Sequence, residues 1–187
     1  MRNEPAPTFD PTNFIDNLES DCPMRREAAA SSLGSMGNPR AGRPLAGLLL
    51  REVRTISLSG LLENPGVVSA AAGSIRRLGA TESLYAVIRS LCEMGCCVEI
   101  DRTTVEALVE CIAEIGGPNV VREATDKVVQ HAREHCRDER RGVETVAMVL
   151  FENLSMCGDA GVRTLRRLAN AGPEHLRAFA GHALAMV

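Results

Sequence analysis

The chain has 187 residues, a net charge of −3, no tryptophan, one tyrosine and four phenylalanines. Its length allows one compact domain or one short repeat array, and its small negative charge does not favour a nucleic acid or an anionic membrane surface as partner. The few aromatic rings also leave little for stacking on bases or flat cofactors.

Residues 1–10 are polar and interrupted by proline, so they are predicted to form a flexible N-terminal arm before a helical repeat domain at residues 11–187. The N-terminus lacks the apolar core of a signal peptide, and no apolar stretch is long enough to span a bilayer. These features predict a cytoplasmic protein without a membrane partner. In that reducing compartment most of the seven cysteines would be thiols.

Apolar residues recur at helical rather than alternating spacing, so every predicted element is a helix. Proline and glycine mark most of the boundaries between helices. In chain order the predicted helices cover residues 11–18, 24–36, 40–54, 66–78, 81–94, 103–115, 119–136, 141–156, 159–169 and 173–186. Longer connectors are predicted at residues 57–65 and 95–102.

One helix pattern recurs along the chain. Its copies end at Gly37, Gly79, Gly116 and Gly158, and a fifth copy begins at Leu176. The unit therefore repeats about every 40 residues, which is the period of an α-solenoid made of helix pairs. We predict an all-α, right-handed superhelical array of about five antiparallel helix pairs. Arrays of this kind usually serve as binding surfaces.

The stretch from Arg25 to Leu50 carries the most specific form of this pattern. An arginine is followed by an Ala-rich helix, then by Leu33-Gly34, a second glycine, Asn38-Pro39-Arg40 and an apolar helix. This pattern resembles the HEAT-like repeat family, in the short bacterial form often called the phycobilin-lyase type. Later copies match less well, and Val68 replaces the arginine in the second copy. The resemblance implies stacked helix pairs but not lyase activity, because one fold hosts many functions.

A set of polar residues is predicted to line the concave side of the array, which the second helix of each pair should form. Three of its glutamates are spaced four apart on one predicted helix and therefore share a face. The stripe is either an ordinary solvated helix face or a groove for a partner protein with a basic or cationic segment. The candidate partner-binding residues are Glu106, Glu110, Glu114, Glu144, Glu152 and His182.

The residues His131, His135 and Cys136 form a candidate metal site at one predicted helix end. The two imidazoles lie one helical turn apart, a spacing that can bind Zn²⁺. A polar helix terminus accounts for the same residues, since the helix dipole favours positive side chains there.

The thiols of Cys92, Cys96 and Cys97 form a second cluster. Small buried apolar side chains are the simpler interpretation of these cysteines. Redox sensing or metal capture is the alternative, although no CxxC pair occurs in the chain.

Arginines gather at residues 133–141 and 163–167, interspersed with acidic residues. This composition indicates a solvated edge of mixed charge, with a phosphate-rich partner as the alternative.

The sequence contains no P-loop, GxGxxG, HExxH or GxSxG motif. We therefore favour a protein–protein interaction or scaffold module that needs no cofactor and performs no chemical step. One alternative is a cofactor-handling protein of the lyase or chaperone type, with Glu110, Glu152 and His182 in its pocket. The other is a metal- or redox-responsive regulator that uses the cysteine and histidine clusters.

Overall fold

The computed structural model describes residues 11–54, 56, 60–98, 100–135 and 141–187. These residues form nine α-helices: α1 (Pro11–Asn17), α2 (Pro23–Met36), α3 (Gly42–Arg54), α4 (Pro65–Leu78), α5 (Leu84–Met94), α6 (Arg102–His135), α7 (Arg141–Ser155), α8 (Gly158–Ala171) and α9 (Glu174–Ala185). Short 3-10 turns, Pro39–Ala41 and Thr81–Ser83, precede α3 and α5. No β-strand occurs in these ranges, so the all-α prediction is confirmed. None of these helices combines the length and apolar character that a bilayer crossing requires.

Helix α6 joins two helices that the sequence separates. It breaks at Gly117, where φ is 68° and ψ is −173°, a conformation that glycine adopts far more readily than other residues. Pro118 then opens the second segment, where its missing N–H needs no helical partner. The segments 102–116 and 118–135 are called α6a and α6b below. The predicted helix boundary at Gly116-Gly117-Pro118 is therefore present, as a kink between α6a and α6b.

The ten helical segments pair in chain order as α1–α2, α3–α4, α5–α6a, α6b–α7 and α8–α9. The second members of the pairs, α2, α4, α6a, α7 and α9, pack side by side in one layer. The first members α3, α5 and α6b form the other layer. This arrangement is the predicted repeat array of helix pairs. The right-handed superhelix stays a prediction, and the predicted arm at residues 1–10 lies outside the described residues.

One apolar core runs through the whole array. Leu33, Ile75, Ile112 and Leu154 occupy equivalent places in four units, and the side chain of each is fully buried. The neighbouring Ala29 is buried as well. We expected Leu184 of α9 to be buried at the equivalent place, but it is only half-buried. Among the described helices α9 packs on α7 and α8, and this packing leaves part of Leu184 uncovered.

A buried ion pair joins α2 to α3 in the first unit. Arg26 and Glu52 are only 8% and 5% exposed. Arg26 Nε donates to Glu52 Oε1 at 2.8 Å, and its Nη2 donates to Glu52 Oε2 at 3.2 Å. The Asn64 amide at the start of α4 donates to the same carboxylate at 3.0 Å. Both charges are therefore paired in the two-point geometry that makes burial of an arginine tolerable.

The same arginine also holds the turn after α1. Arg26 Nη1 donates to the Ser20 carbonyl at 2.8 Å and to the Asp21 carbonyl at 3.1 Å. Arg51 on α3 donates to the Leu18 carbonyl and pairs with Glu19. Helix α1, which spans only seven residues, is thus fastened to α2 and α3 by two arginines.

The second unit replaces this ion pair with apolar side chains. The first and second units are offset by the sequence interval between Gly37 and Gly79. With this offset, Val68 is equivalent to Arg26 and Met94 is equivalent to Glu52. Both Val68 and Met94 are fully buried. The arginine that is missing from the second copy is therefore lost together with its partner, which avoids an unpaired buried charge.

Helices α2 and α4 approach closely at Gly34. A Cβ atom at this position would lie 2.4 Å from Ser74 Oγ and 2.8 Å from Ser74 Cα. Ser74 Oγ donates to the Ala30 carbonyl at 2.8 Å across the same contact. The glycine of the Leu33-Gly34 pair is thus required by packing between the first two units.

Candidate functional site

The predicted glutamates lie on a face formed by α4, α6a and α7. Arg76 of α4 pairs with Glu110 of α6a, and its Nε lies 3.6 Å from Glu114 Oε2. These side chains are partly or largely exposed to solvent. One guanidinium therefore serves two carboxylates from the neighbouring helix.

Arg102 performs the same role between α6a and α7. Its Nε donates to Glu106 Oε1 at 2.6 Å and its Nη2 to Glu152 Oε2 at 2.5 Å. Its Nη1 lies 3.9 Å from Met148 Sδ. The hydrogen bonds to Glu106 and Glu152 raise the pKa of Arg102 above its usual value. Four glutamates on two neighbouring helices are thus held by two arginines.

We call this set, Glu106, Glu110, Glu114 and Glu152 with Arg76 and Arg102, the carboxylate face. Helical spacing placed Glu106, Glu110 and Glu114 on one face of a helix, but the two arginines that pair with the glutamates were not predicted. The Arg102–Glu106 pair has helical i,i+4 spacing and is readable from the sequence. Arg76 is 34 residues from Glu110, so only the fold brings them together. Formal charges leave the face with an excess of two negative charges, and its position on a concave side stays a prediction.

The remaining candidate residues lie outside this network. Glu144 is exposed in the first turn of α7, two turns before Glu152 on the same helix. His182 is exposed on α9. Neither Glu144 nor His182 makes an ion pair or hydrogen bond with another described side chain. Glu110, Glu152 and His182, the proposed cofactor pocket, line neither the cleft between α5 and α6b nor the cleft between α6b and α8.

The cleft between α5 and α6b was not predicted from the sequence. Its volume is about 280 Å³. Ile88 and Cys92 provide an apolar wall, and Tyr85, Lys127 and His131 are among its polar lining residues. Only the packing of α5 against α6b, two helices distant in sequence, creates this space, which explains why no local pattern indicated it.

Members of the two predicted clusters meet beside this cleft. Cys96 Sγ lies 3.5 Å from His131 Nε2. The His131 ring stacks on the His135 ring, with centroids 4.4 Å apart and an interplanar angle of 19°. His135 Nδ1 lies 3.3 Å from the His131 carbonyl oxygen. The two imidazoles are therefore parallel and do not converge on a shared point.

This geometry does not supply the predicted metal site from the described side chains. Among the residues that the structure describes, no three metal-ligating side chains are placed to hold an ion. Cys136, the third member of the predicted site, lies outside the described residues. Burial of His131 lowers the pKa of its imidazole, and nearby His135 lowers it further.

Burial sets the chemistry of the described thiols. Cys92, Cys96, Cys97 and Cys111 are buried. Burial raises the pKa of Cys92 to about 11 and that of Cys111 to about 12. It also raises the pKa of Cys157. Cys92, Cys111 and Cys157 are therefore poor nucleophiles, as expected of structural cysteines.

A second cleft of about 680 Å³ separates α6b from α8. Arg133 and Arg167, from the two predicted arginine clusters, both line it. Arg167 is paired with Asp126, and Glu134 lies beside Arg133 in the same lining. The described part of this edge therefore has mixed charge, as the sequence indicated.

Comparison with known proteins bears on the first helical unit. No curated protein matches the chain. A family model does match, and it covers the segment that contains Arg26, Leu33 and Gly34, whose packing is described above. Residues 25–51, which include most of α2 and most of α3, match the family described as the PBS lyase HEAT-like repeat.

Proposed function

We propose that the chain is a protein-interaction module that binds a partner through the carboxylate face. The partner would carry a basic segment, rich in arginine or lysine. The observation that carries this proposal is the excess of carboxylates over guanidinium groups within the carboxylate face. The repeat architecture supports it, since arrays of helix pairs present extended surfaces built for contact.

The arginines within the face support binding because they orient the carboxylates before a partner arrives. Arg102 joins α6a to α7 and Arg76 joins α4 to α6a, so the glutamates are held on a connected surface. Each carboxylate keeps further lone pairs for an incoming cation. Preorganised groups bind more tightly because less side-chain freedom is lost on association.

Exposed ion pairs are individually weak, at about 0.2–1 kcal/mol each. Useful affinity therefore requires several basic side chains that contact the face at once. Complementary charge also speeds association, and this effect falls as salt screens it. Binding to this face should thus weaken steadily between low salt and about 0.5 M salt.

The test replaces three exposed glutamates of α6a: Glu106→Gln, Glu110→Gln and Glu114→Gln. A charge-matched control replaces three acids of α6b: Glu123→Gln, Asp126→Asn and Glu134→Gln. Both variants lose the same formal charge from the same helix. Fluorescence anisotropy with a labelled ten-residue arginine peptide, in a salt series, measures binding. Capture from a lysate of the source organism, followed by mass spectrometry, then identifies the natural partner.

We expect the α6a variant to lose most peptide binding and the captured partner, while the α6b variant keeps both. Unfolding free energies should change by less than about 1 kcal/mol, because the affected pairs are exposed. Equal loss in both variants would show that only net charge matters. Full retention by the α6a variant across the salt series would show that the partner binds elsewhere.

A further inference from the structure

Cys96 differs in its surroundings from Cys92 and Cys111, the two buried thiols whose pKa is raised by burial. Its sulfur lies 3.5 Å from His131 Nε2, in contact with a potential proton acceptor. With the imidazole proton on Nδ1, Nε2 carries a lone pair that accepts a hydrogen bond from the thiol. A thiol with an adjacent base is the arrangement that activates cysteine as a nucleophile.

The cleft between α5 and α6b brings small molecules to His131, the basic member of this pair. His131 lines the cleft, and Cys96, which is 8% exposed, contacts His131 Nε2 from outside the lining. A cleft of about 280 Å³ admits a molecule of a few heavy atoms. Cys92 also lines it, but burial keeps that thiol protonated by raising its pKa to about 11.

We infer that Cys96 is a site of oxidation by small hydroperoxides, with His131 as the group that accepts the thiol proton. The thiol proton passes to His131 Nε2 as the sulfur attacks one peroxide oxygen. The S–O bond forms while the O–O bond breaks, so sulfur is oxidised by two electrons and the peroxide is reduced. The departing oxygen takes the proton from His131 and leaves as water or an alcohol. The product is a sulfenic acid on Cys96 and a neutral His131.

The burial of His131 fits this role. Burial lowers the pKa of the His131 imidazole, which favours its neutral form, the form whose Nε2 can accept the thiol proton. The stacked His135 ring supports its orientation. Oxidation at this site would place a polar group beside the cleft wall, at the end of α5.

The test treats the native protein with hydrogen peroxide in the presence of dimedone, which traps sulfenic acids. Cleavage after Arg89 and Arg102 releases one peptide that contains Cys92, Cys96 and Cys97. Fragment masses then assign the adduct, and the other two thiols act as internal controls. The same assay is run on His131→Gln, which removes the base, and on His135→Gln, which removes only the stacked ring.

We expect the adduct on Cys96 to form at least about tenfold faster than on Cys92, and His131→Gln to slow it at least about tenfold. His135→Gln should react within about threefold of the parent. A bulky aromatic disulfide should label Cys96 slowly, since the cleft excludes it. Labelling confined to Cys22 and Cys157, or a rate unchanged by His131→Gln, would overturn the inference. If His131→Gln fails to fold by circular dichroism, the ratio between Cys96 and Cys92 in the parent decides.

Discussion

The ion pair between Arg26 and Glu52 offers the sharpest test of how this array is held together. We consider the single change Glu52→Gln, which removes the negative charge and nearly preserves the shape. Arg26, of which only 8% is exposed, then keeps its charge buried without a counter-charge. Removing one partner of a buried ion pair costs about 3–5 kcal/mol. A domain of this size is stable by about 5–15 kcal/mol, so a large part of that stability should be lost.

The second unit of the same chain supplies the compensating change. The second unit has buried Val68 and Met94 at the two equivalent positions. The double variant Arg26→Val, Glu52→Met therefore gives the first unit the same pair of apolar side chains. Apolar replacement of a buried pair is often neutral or stabilising. The carbonyls of Ser20 and Asp21 lose a donor, at about 1 kcal/mol each if water does not replace it. We therefore expect the double variant to lie within about 2 kcal/mol of the parent.

Urea unfolding followed by circular dichroism measures Glu52→Gln, the double variant and its two component changes, Arg26→Val and Glu52→Met. The last three form a double-mutant cycle that gives the coupling energy. Glu19→Gln is the matched control, because it breaks the ion pair between Glu19 and Arg51. The Glu19 side chain is 75% exposed. The control change should cost less than about 1 kcal/mol. The reasoning fails if Glu52→Gln costs no more than Glu19→Gln, or if the double variant is as unstable as the two single changes added together.

Two further predictions concern the core. Leu33→Ala should lower the free energy of unfolding by about 2–5 kcal/mol, because Leu33 is fully buried and its truncation leaves a cavity. The control is Leu61→Ala, which should cost far less because Leu61 is 52% exposed. Stability should also fall as pH rises from about 9 to 11. Burial raises the pKa of Cys111 from 9.0 to about 12, so its thiol ionises in the unfolded chain first. The slope is at most about 1.4 kcal/mol per pH unit for each such thiol. Cys111→Ala should flatten the slope, and an unchanged slope would contradict this account.

The helices were predictable because glycine and proline act locally. Gly37 and Gly79 end α2 and α4 in the left-handed conformation, at φ of 66° and 59°, which glycine favours. Pro65 opens α4 for the equally local reason that its fixed φ suits the first turn. The spacing of these glycines and prolines in the sequence gives the repeat period without knowledge of any long-range contact.

The site was less predictable because its parts come from distant helices. Helical spacing predicts that Glu106, Glu110 and Glu114 share one face. It does not predict the ion pair with Arg76, which lies on α4 in the preceding unit. The contact between Cys96 and His131 has the same origin, since both residues were noted and only packing joins them. Amphipathic periodicity fixes which face of a helix is buried, not which neighbour supplies a charge to the exposed face.

The fastening of α1 by two arginines has a consequence for how the chain is made. A helix of seven residues is too short to persist alone in water. Its anchors, Arg26 and Arg51, become effective only when Glu52 has been synthesised and α3 has docked. A ribosome adds about 5–20 residues per second, so α1 waits several seconds for its support. Helix α1 therefore becomes fastened only after α3 has been synthesised and has docked on α2.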